Sequence, residues 1–93
     1  VGVWGAGEAG NPWLSWGLAE GRDVRLLDTD AGRNPRFRSR RGISIAPPEE
    51  LVKMDVDLLL VAVGARGARE QIRAQIQVMR PDLVEGKNWF ALA

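Results

Sequence analysis

The chain has 93 residues, of which 45% are hydrophobic and 27% are charged, and its 13 basic and 12 acidic side chains give a formal net charge of +1. A chain of this size forms one globular domain and is too short for two, so we predict a single domain over residues 1–93. The near balance of charge argues against a whole-surface attraction to an anionic membrane or to nucleic acid, and we expect no nucleic-acid partner.

The amino acids missing from the chain exclude several kinds of chemistry. It contains no cysteine, histidine or tyrosine, which excludes disulfides, thiolate metal sites and the commonest general base. The lack of cysteine suits the reducing cytoplasm, where we expect the protein. No apolar run approaches the roughly 20 residues of a membrane-spanning helix. Because the chain starts at Val1 without an initiator methionine, we expect it to be a piece of a longer protein whose other domains are its partners.

The first half of the chain alternates apolar segments with glycine turns. A short β-prone segment runs into three closely spaced glycines, an apolar segment ends at Glu20-Gly21, and an aliphatic segment ends in acidic residues. These patterns predict a buried strand, a helix closed by glycine and a second strand. A stretch with five arginines and no apolar periodicity predicts a surface loop. In chain order we predict a strand at 1–4, a glycine turn at 5–10, a helix at 13–19, a strand at 24–27 and a loop at 31–42.

The second half of the chain contains the strongest signals. Val56 to Val63 is a nearly continuous aliphatic run, typical of a strand that is covered on both faces of a parallel sheet. Four apolar residues recur at helical spacing between residues 68 and 79, and Pro81 ends that helix. In chain order we predict a brief strand at 43–45, a short helix starting at Pro47-Pro48, the core strand at 56–63, a helix at 68–79 and a last strand at 88–92.

Strands that alternate with helices predict right-handed crossovers and a parallel sheet. We therefore expect an α/β fold, a three-layer sandwich of the doubly wound type with a mostly parallel sheet in the order 3-2-1-4-5. In such a sheet ligands bind where the strand order reverses, outside the carboxyl ends of the first and fourth strands. The segments Gly5–Gly10 and Gly64–Arg69 should then face each other across this crevice.

Three glycines and one aspartate form the candidate binding motif. Gly5, Gly7 and Gly10 match G-x-G-x-x-G between a predicted strand and a predicted helix, where backbone amides can meet a phosphate or pyrophosphate. Asp28 ends the second strand 18 positions beyond Gly10, close to the spacing of an acid that accepts hydrogen bonds from ribose hydroxyls. The alternative interpretation is structural: the glycines serve tight packing between strand and helix, and Asp28 caps a turn.

Two features weaken the phosphate motif. Pro12 has no amide proton and disfavours helical geometry at Asn11, so we expect Asn11 to cap the helix and Pro12 to start it. The helix then begins a turn late, and its dipole points less directly at a phosphate on Gly7. Glu8 adds a carboxylate near that phosphate.

Other basic and aromatic residues leave alternatives open. The arginines of the 33–41 stretch either bind a 2′-phosphate, a diphosphate or an RNA backbone or form a solvated or partner-facing loop. We favour the loop because runs of charged residues usually are solvated, and Asp28 also argues against a 2′-phosphate. Arg69 opens the last helix and either contacts a phosphate or pairs with an acid. Trp13 and Trp16 either stack on a base or pack against the core or a neighbouring domain, and we favour packing.

Several of these segments together resemble a known family. They are Gly5-Ala6-Gly7, Leu26-Leu27-Asp28-Thr29-Asp30, Gly42-Ile43-Ser44-Ile45 with Pro48-Glu49-Glu50-Leu51, and Val61-Ala62-Val63-Gly64 followed by Arg69 and Ile72. Over most of the chain they resemble the Rossmann-like nucleotide-sugar-binding domain of bacterial sugar acyltransferases of the sialic-acid and bacillosamine acetyltransferase type. Related domains are appended to some glycosyltransferases. The chain departs from the family at Glu8-Ala9, where a Gly-His pair is common, and it has no hexapeptide repeat, so the acyl-transfer site is absent.

The resemblance implies that the chain binds a uridine or similar nucleotide diphosphate sugar. The glycine turn would meet phosphate and the acid would meet the nucleoside, roles that fall by position on Gly5, Gly7, Asp28 and Gly64. Our first hypothesis is an accessory module of a bacterial sugar-transferring enzyme with no catalytic residue of its own. The alternatives are the NAD(P)-binding half of an oxidoreductase and a degenerate domain used for interdomain contact. The predicted ligand-binding residues are Gly5, Gly7, Gly10, Asp28, Gly64 and Arg69, and we predict no metal site.

Overall fold

A computed structural model of the chain describes residues 1–5, 11–29, 39–40, 42–63 and 67–92. Strands and helices alternate, as the sequence predicts, and the short helix predicted after Pro47 is a 3-10 helix. The elements are β1 (Gly2–Trp4), α1 (Asn11–Ala19), β2 (Arg25–Leu27), β3 (Ser39–Arg40), β4 (Ile43–Ala46), the 3-10 helix (Pro48–Lys53), β5 (Leu59–Val61), α2 (Ala68–Met79) and β6 (Trp89–Ala91).

The strands form one sheet in the order β3-β4-β2-β1-β5-β6. Five of them run parallel, and when these five are numbered along the chain their order is 3-2-1-4-5. The predicted α/β fold and strand order are therefore confirmed. The prediction of a loop over 31–42 is wrong at Ser39–Arg40, which pairs antiparallel with β4 as an added edge strand. Two polar residues carry no periodic signal, so this strand is defined by its pairing with β4 alone.

Successive residues of each strand cover opposite faces of the sheet. In β1, Val3 belongs to a buried cluster with Leu14 of α1, whereas Trp4 belongs to a second cluster with Ile76 of α2. The two leucines of β2 divide in the same way between these clusters. The sheet therefore has α1 on one face and α2 with the 3-10 helix on the other, which is the predicted three-layer arrangement.

The two α-helices follow their sequence signals. In α2 the buried residues Ile72 and Ile76 lie on the predicted apolar face, and the helix ends two residues before Pro81. α1 begins at Asn11, so the prediction that Asn11 caps the helix and Pro12 starts it is wrong by one residue. The helix packs so closely that a Cβ added at Gly17 would lie 2.7 Å from Cγ2 of Val24. Over the described residues, neither helix has the length and apolar character needed to cross a membrane.

Arg80 joins α2 to the 3-10 helix. It follows α2 directly, and its guanidinium donates to the backbone carbonyls of Leu51, Met54 and Val56 at 3.3, 2.8 and 2.9 Å. The same group pairs with Asp82 at 2.8 Å, and the Arg80 side chain is only 15% exposed. Its hydrogen bond holds the pKa of Asp82 below the ordinary value. One side chain thus fixes the segment between β4 and β5 against the end of α2.

Candidate functional site

The carboxyl ends of the parallel strands meet at one edge of the sheet, and backbone hydrogen bonds tie them together. The amide of Ala62 donates to Trp4 O at 2.8 Å, and the amide of Gly5 donates to Leu27 O at 2.8 Å. The amide of Asp28 continues the series by donating to Ala46 O at 3.0 Å. Gly5 and Asp28 therefore lie at the same edge, where the strand order reverses.

The structure explains why residue 5 is glycine. Its φ is +119°, and an added Cβ would lie 2.5 Å from the carbonyl oxygen of Ala62. Both the backbone conformation and the approach of β5 exclude a side chain here. This packing accounts for the first glycine of the motif without a ligand. The other predicted glycines, Gly7, Gly10 and Gly64, lie outside the described residues, as does Glu8.

Asp28 and Thr29 follow β2 at this edge. Asp28 is partly buried, so its carboxylate is at the surface of the fold and not within its core. The hydroxyl of Thr29 accepts a hydrogen bond from Nε1 of the buried Trp4 at 3.4 Å. Since Trp4 belongs to the cluster beneath α2, Thr29 lies on the α2 side of the sheet.

Arg69 lies on the α2 flank that also carries Arg73. Residues four apart share one side of a helix, and Arg73 pairs with Glu70 at 2.7 Å and with Glu85 at 2.8 Å. The hydrogen bond from Arg73 lowers the pKa of Glu85, and the charges of Arg73 and Arg69 lower it further. Both roles predicted for Arg69, contact with a phosphate and interaction with an acid, stay predictions.

This ion-pair group predicts how stability depends on pH. Because the pKa of Glu85 is lower in the folded chain than its ordinary value of 4.5, Glu85 stabilises the fold above pH 4.5, and this stabilisation is lost as the pH falls through the lowered pKa. Between about pH 5 and pH 3 we expect the midpoint temperature of unfolding to fall less for Glu85→Gln than for the parent chain. Thermal unfolding followed by circular dichroism measures the two slopes. Glu20→Gln, at an exposed carboxylate after α1, is the control, and equal slopes for all three chains would contradict the prediction.

The two tryptophans of α1 have different surroundings. Trp13 packs against the buried cluster on the α1 face, so the predicted packing role is confirmed for this residue. Trp16 is 36% exposed, and the guanidinium of Arg22 lies 5.3 Å from the centre of its ring. That distance is within the range of a cation–π contact. The Arg22 side chain therefore covers part of the outward-facing ring of Trp16.

A groove of about 400 Å³ lies between α2 and the 3-10 helix, with Thr29 on its rim. Pro48 and Glu49 line it from the 3-10 helix, and Ala74, Gln75, Val78 and Met79 line it from α2. The sequence interpretation did not find this groove, because its residues come from three separated segments. One signal was present: Val78 interrupts the polar face of α2, and it is 84% exposed.

A parallel sheet in the order 3-2-1-4-5, with helices on both faces and an acid after β2, defines the chain as a doubly wound α/β protein. No protein-family model, curated protein or solved structure matches the chain. Among the residues that the structure describes, no three acidic side chains are grouped so as to hold a metal ion.

Proposed function

We propose that the chain is a nucleotide-binding module that takes a nucleoside diphosphate sugar and serves a bacterial sugar-transferring enzyme of the cytoplasm. One observation carries this proposal: the amide of Gly5 bonds the carbonyl of Leu27, so the glycine turn starts beside the aspartate that follows β2. Ligands of doubly wound sheets bind at this edge, where the strand order reverses.

The glycine turn and Asp28 suit different parts of a nucleotide. Backbone amides of a glycine turn suit phosphate oxygens, and the carboxylate of Asp28 suits ribose hydroxyls as an acceptor of hydrogen bonds. The same carboxylate repels a 2′-phosphate, so NADP fits the site less well than NAD or a nucleoside diphosphate sugar. The resemblance to sugar-nucleotide-binding domains favours the sugar nucleotide over NAD.

The test is calorimetry of the chain with a panel of nucleotides. We expect a uridine diphosphate sugar, or a diphosphate sugar of a related base, to bind more tightly than NAD. A preference for NAD of tenfold or more, about 1.4 kcal/mol, would favour the oxidoreductase hypothesis instead. Binding of no nucleotide at all would favour a domain that only contacts its neighbours.

A variant of Asp28 tests whether the bound nucleotide uses the proposed site. Asp28→Asn keeps the shape of the side chain but removes the charged acceptor, and we expect binding to weaken by about 1–3 kcal/mol, or roughly 5- to 150-fold. Asp23→Asn is the matched control, since Asp23 is an exposed aspartate before β2, at the opposite end of the strand. Equal affinities of the two variants would contradict the proposed site.

A further inference from the structure

The groove between α2 and the 3-10 helix borders the proposed site. Its rim residue Thr29 follows Asp28 directly in the chain, and its volume of about 400 Å³ falls within the 300–1,000 Å³ typical of small-molecule pockets. A ribose held by Asp28 carries its base on the adjoining C1′ atom. The base must therefore lie next to Asp28, and the groove is a recess that begins at the neighbouring residue.

The charges of the groove select an uncharged ligand group. Among its described lining residues the charged side chain is Glu49, and none is basic. A carboxylate repels phosphate, so the groove suits an uncharged group of the nucleotide better than its diphosphate. A neutral heterocycle carries no such penalty.

The lining also matches a planar ring with polar edges. Val78 and Met79 supply an apolar wall from α2, and Val78 is 84% exposed. The amide of Gln75 both donates and accepts hydrogen bonds, and the carboxylate of Glu49 accepts them. Apolar faces with a few polar groups at the edges are what a nucleobase requires.

The two sides of the groove are held in place from within the fold. Arg80 bonds three carbonyls in and after the 3-10 helix, including those of Leu51 and Met54, and Trp4 bonds the hydroxyl of Thr29. A recess that is formed before binding loses less conformational entropy when a ligand enters it.

We infer that this groove holds the base of the nucleotide whose ribose lies on Asp28. The inference rests on the proposed function and adds to it the place where base selectivity resides. Thr29 and Gln75 face the base edge, and Val78 covers one of its faces.

The experiment measures binding of ADP, GDP, CDP and UDP, with ribose 5-phosphate as a ligand that has no base. Gln75→Ala removes the amide, and Val78→Asp adds a charge at an exposed position where folding is little affected. We expect both variants to weaken the best-bound nucleoside diphosphate by at least about fivefold and to leave ribose 5-phosphate unchanged. Gln77→Ala is the matched control, because Gln77 lies on the other flank of α2, in a recess with Leu83 and Glu85, and we expect it to bind like the parent chain.

The outcomes distinguish failure of the base groove, the groove between α2 and the 3-10 helix as the site of the base, from failure of the proposed function. Loss of affinity in Asp28→Asn, with unchanged affinity in Gln75→Ala and Val78→Asp, overturns the base groove and leaves the nucleotide site standing. Equal weakening of ribose 5-phosphate also overturns it, since the groove would then act on the sugar phosphate. Failure of the parent chain to bind any nucleoside diphosphate overturns both.

Discussion

Replacement of Gly5 by alanine is expected to lower the free energy of unfolding by about 2–6 kcal/mol, the sum of a backbone strain cost and an overpacking cost of about 1–3 kcal/mol each. The φ of +119° disfavours any side chain, and the new Cβ would lie 2.5 Å from the carbonyl oxygen of Ala62. Since that carbonyl belongs to backbone that extends β5, the contact can be relieved only by moving β1 and β5 apart. A small domain has about 5–15 kcal/mol of stability in total, so the loss is large.

Gly21 provides the control that separates conformation from contact. Its φ is +71°, and a Cβ added there would meet no atom within 4 Å. Gly21→Ala should therefore cost only the left-handed backbone penalty of about 1–2 kcal/mol. Urea denaturation followed by circular dichroism measures both variants. Equal losses would show that the contact between Gly5 and Ala62 contributes nothing beyond backbone conformation.

Replacement of Arg80 by methionine is expected to cost about 2–4 kcal/mol, because charged hydrogen bonds are lost and partly buried acceptors are left without a donor. Methionine retains most of the apolar length of the side chain. Arg80 donates hydrogen bonds to the carbonyls of Met54 and Val56 at 2.8 and 2.9 Å. Loss of these hydrogen bonds frees the segment between the 3-10 helix and β5.

Arg73→Met is the matched control for Arg80→Met. Arg73 lies on the same helix, but its partners are the exposed carboxylates of Glu70 and Glu85 rather than backbone carbonyls. Exposed ion pairs contribute little to stability because water and salt screen them. Urea titration of both variants should therefore give a clearly smaller loss for Arg73→Met. A larger loss for Arg73→Met would mean that the surface ion pairs, and not the carbonyl bonds of Arg80, hold this part of the fold.

The elements of this protein could be predicted from the sequence because each has a local cause. The aliphatic run from Val56 to Val63 contains β5, the helical spacing of Ile72 and Ile76 defines the buried face of α2, and Gly21 lies just beyond α1. Alternation of strand and helix then predicts a parallel sheet with right-handed crossovers, and 3-2-1-4-5 is the order that we expected for the doubly wound type. The positions of Gly5 and Asp28 at one edge follow from that order.

Tertiary structure decided the features whose causes are distant in the chain. Gly5 is required by a carbonyl 57 positions away at Ala62, and Arg73 of α2 pairs with Glu85, which lies 12 positions further along the chain. The strand at Ser39–Arg40 depends on the edge of β4, and the groove beside Thr29 is lined by residues from three separated segments of the chain. Periodicity determines which face of an element is buried, whereas close backbone contacts, ion pairs and grooves depend on which elements become neighbours, and that is settled only when the sheet assembles.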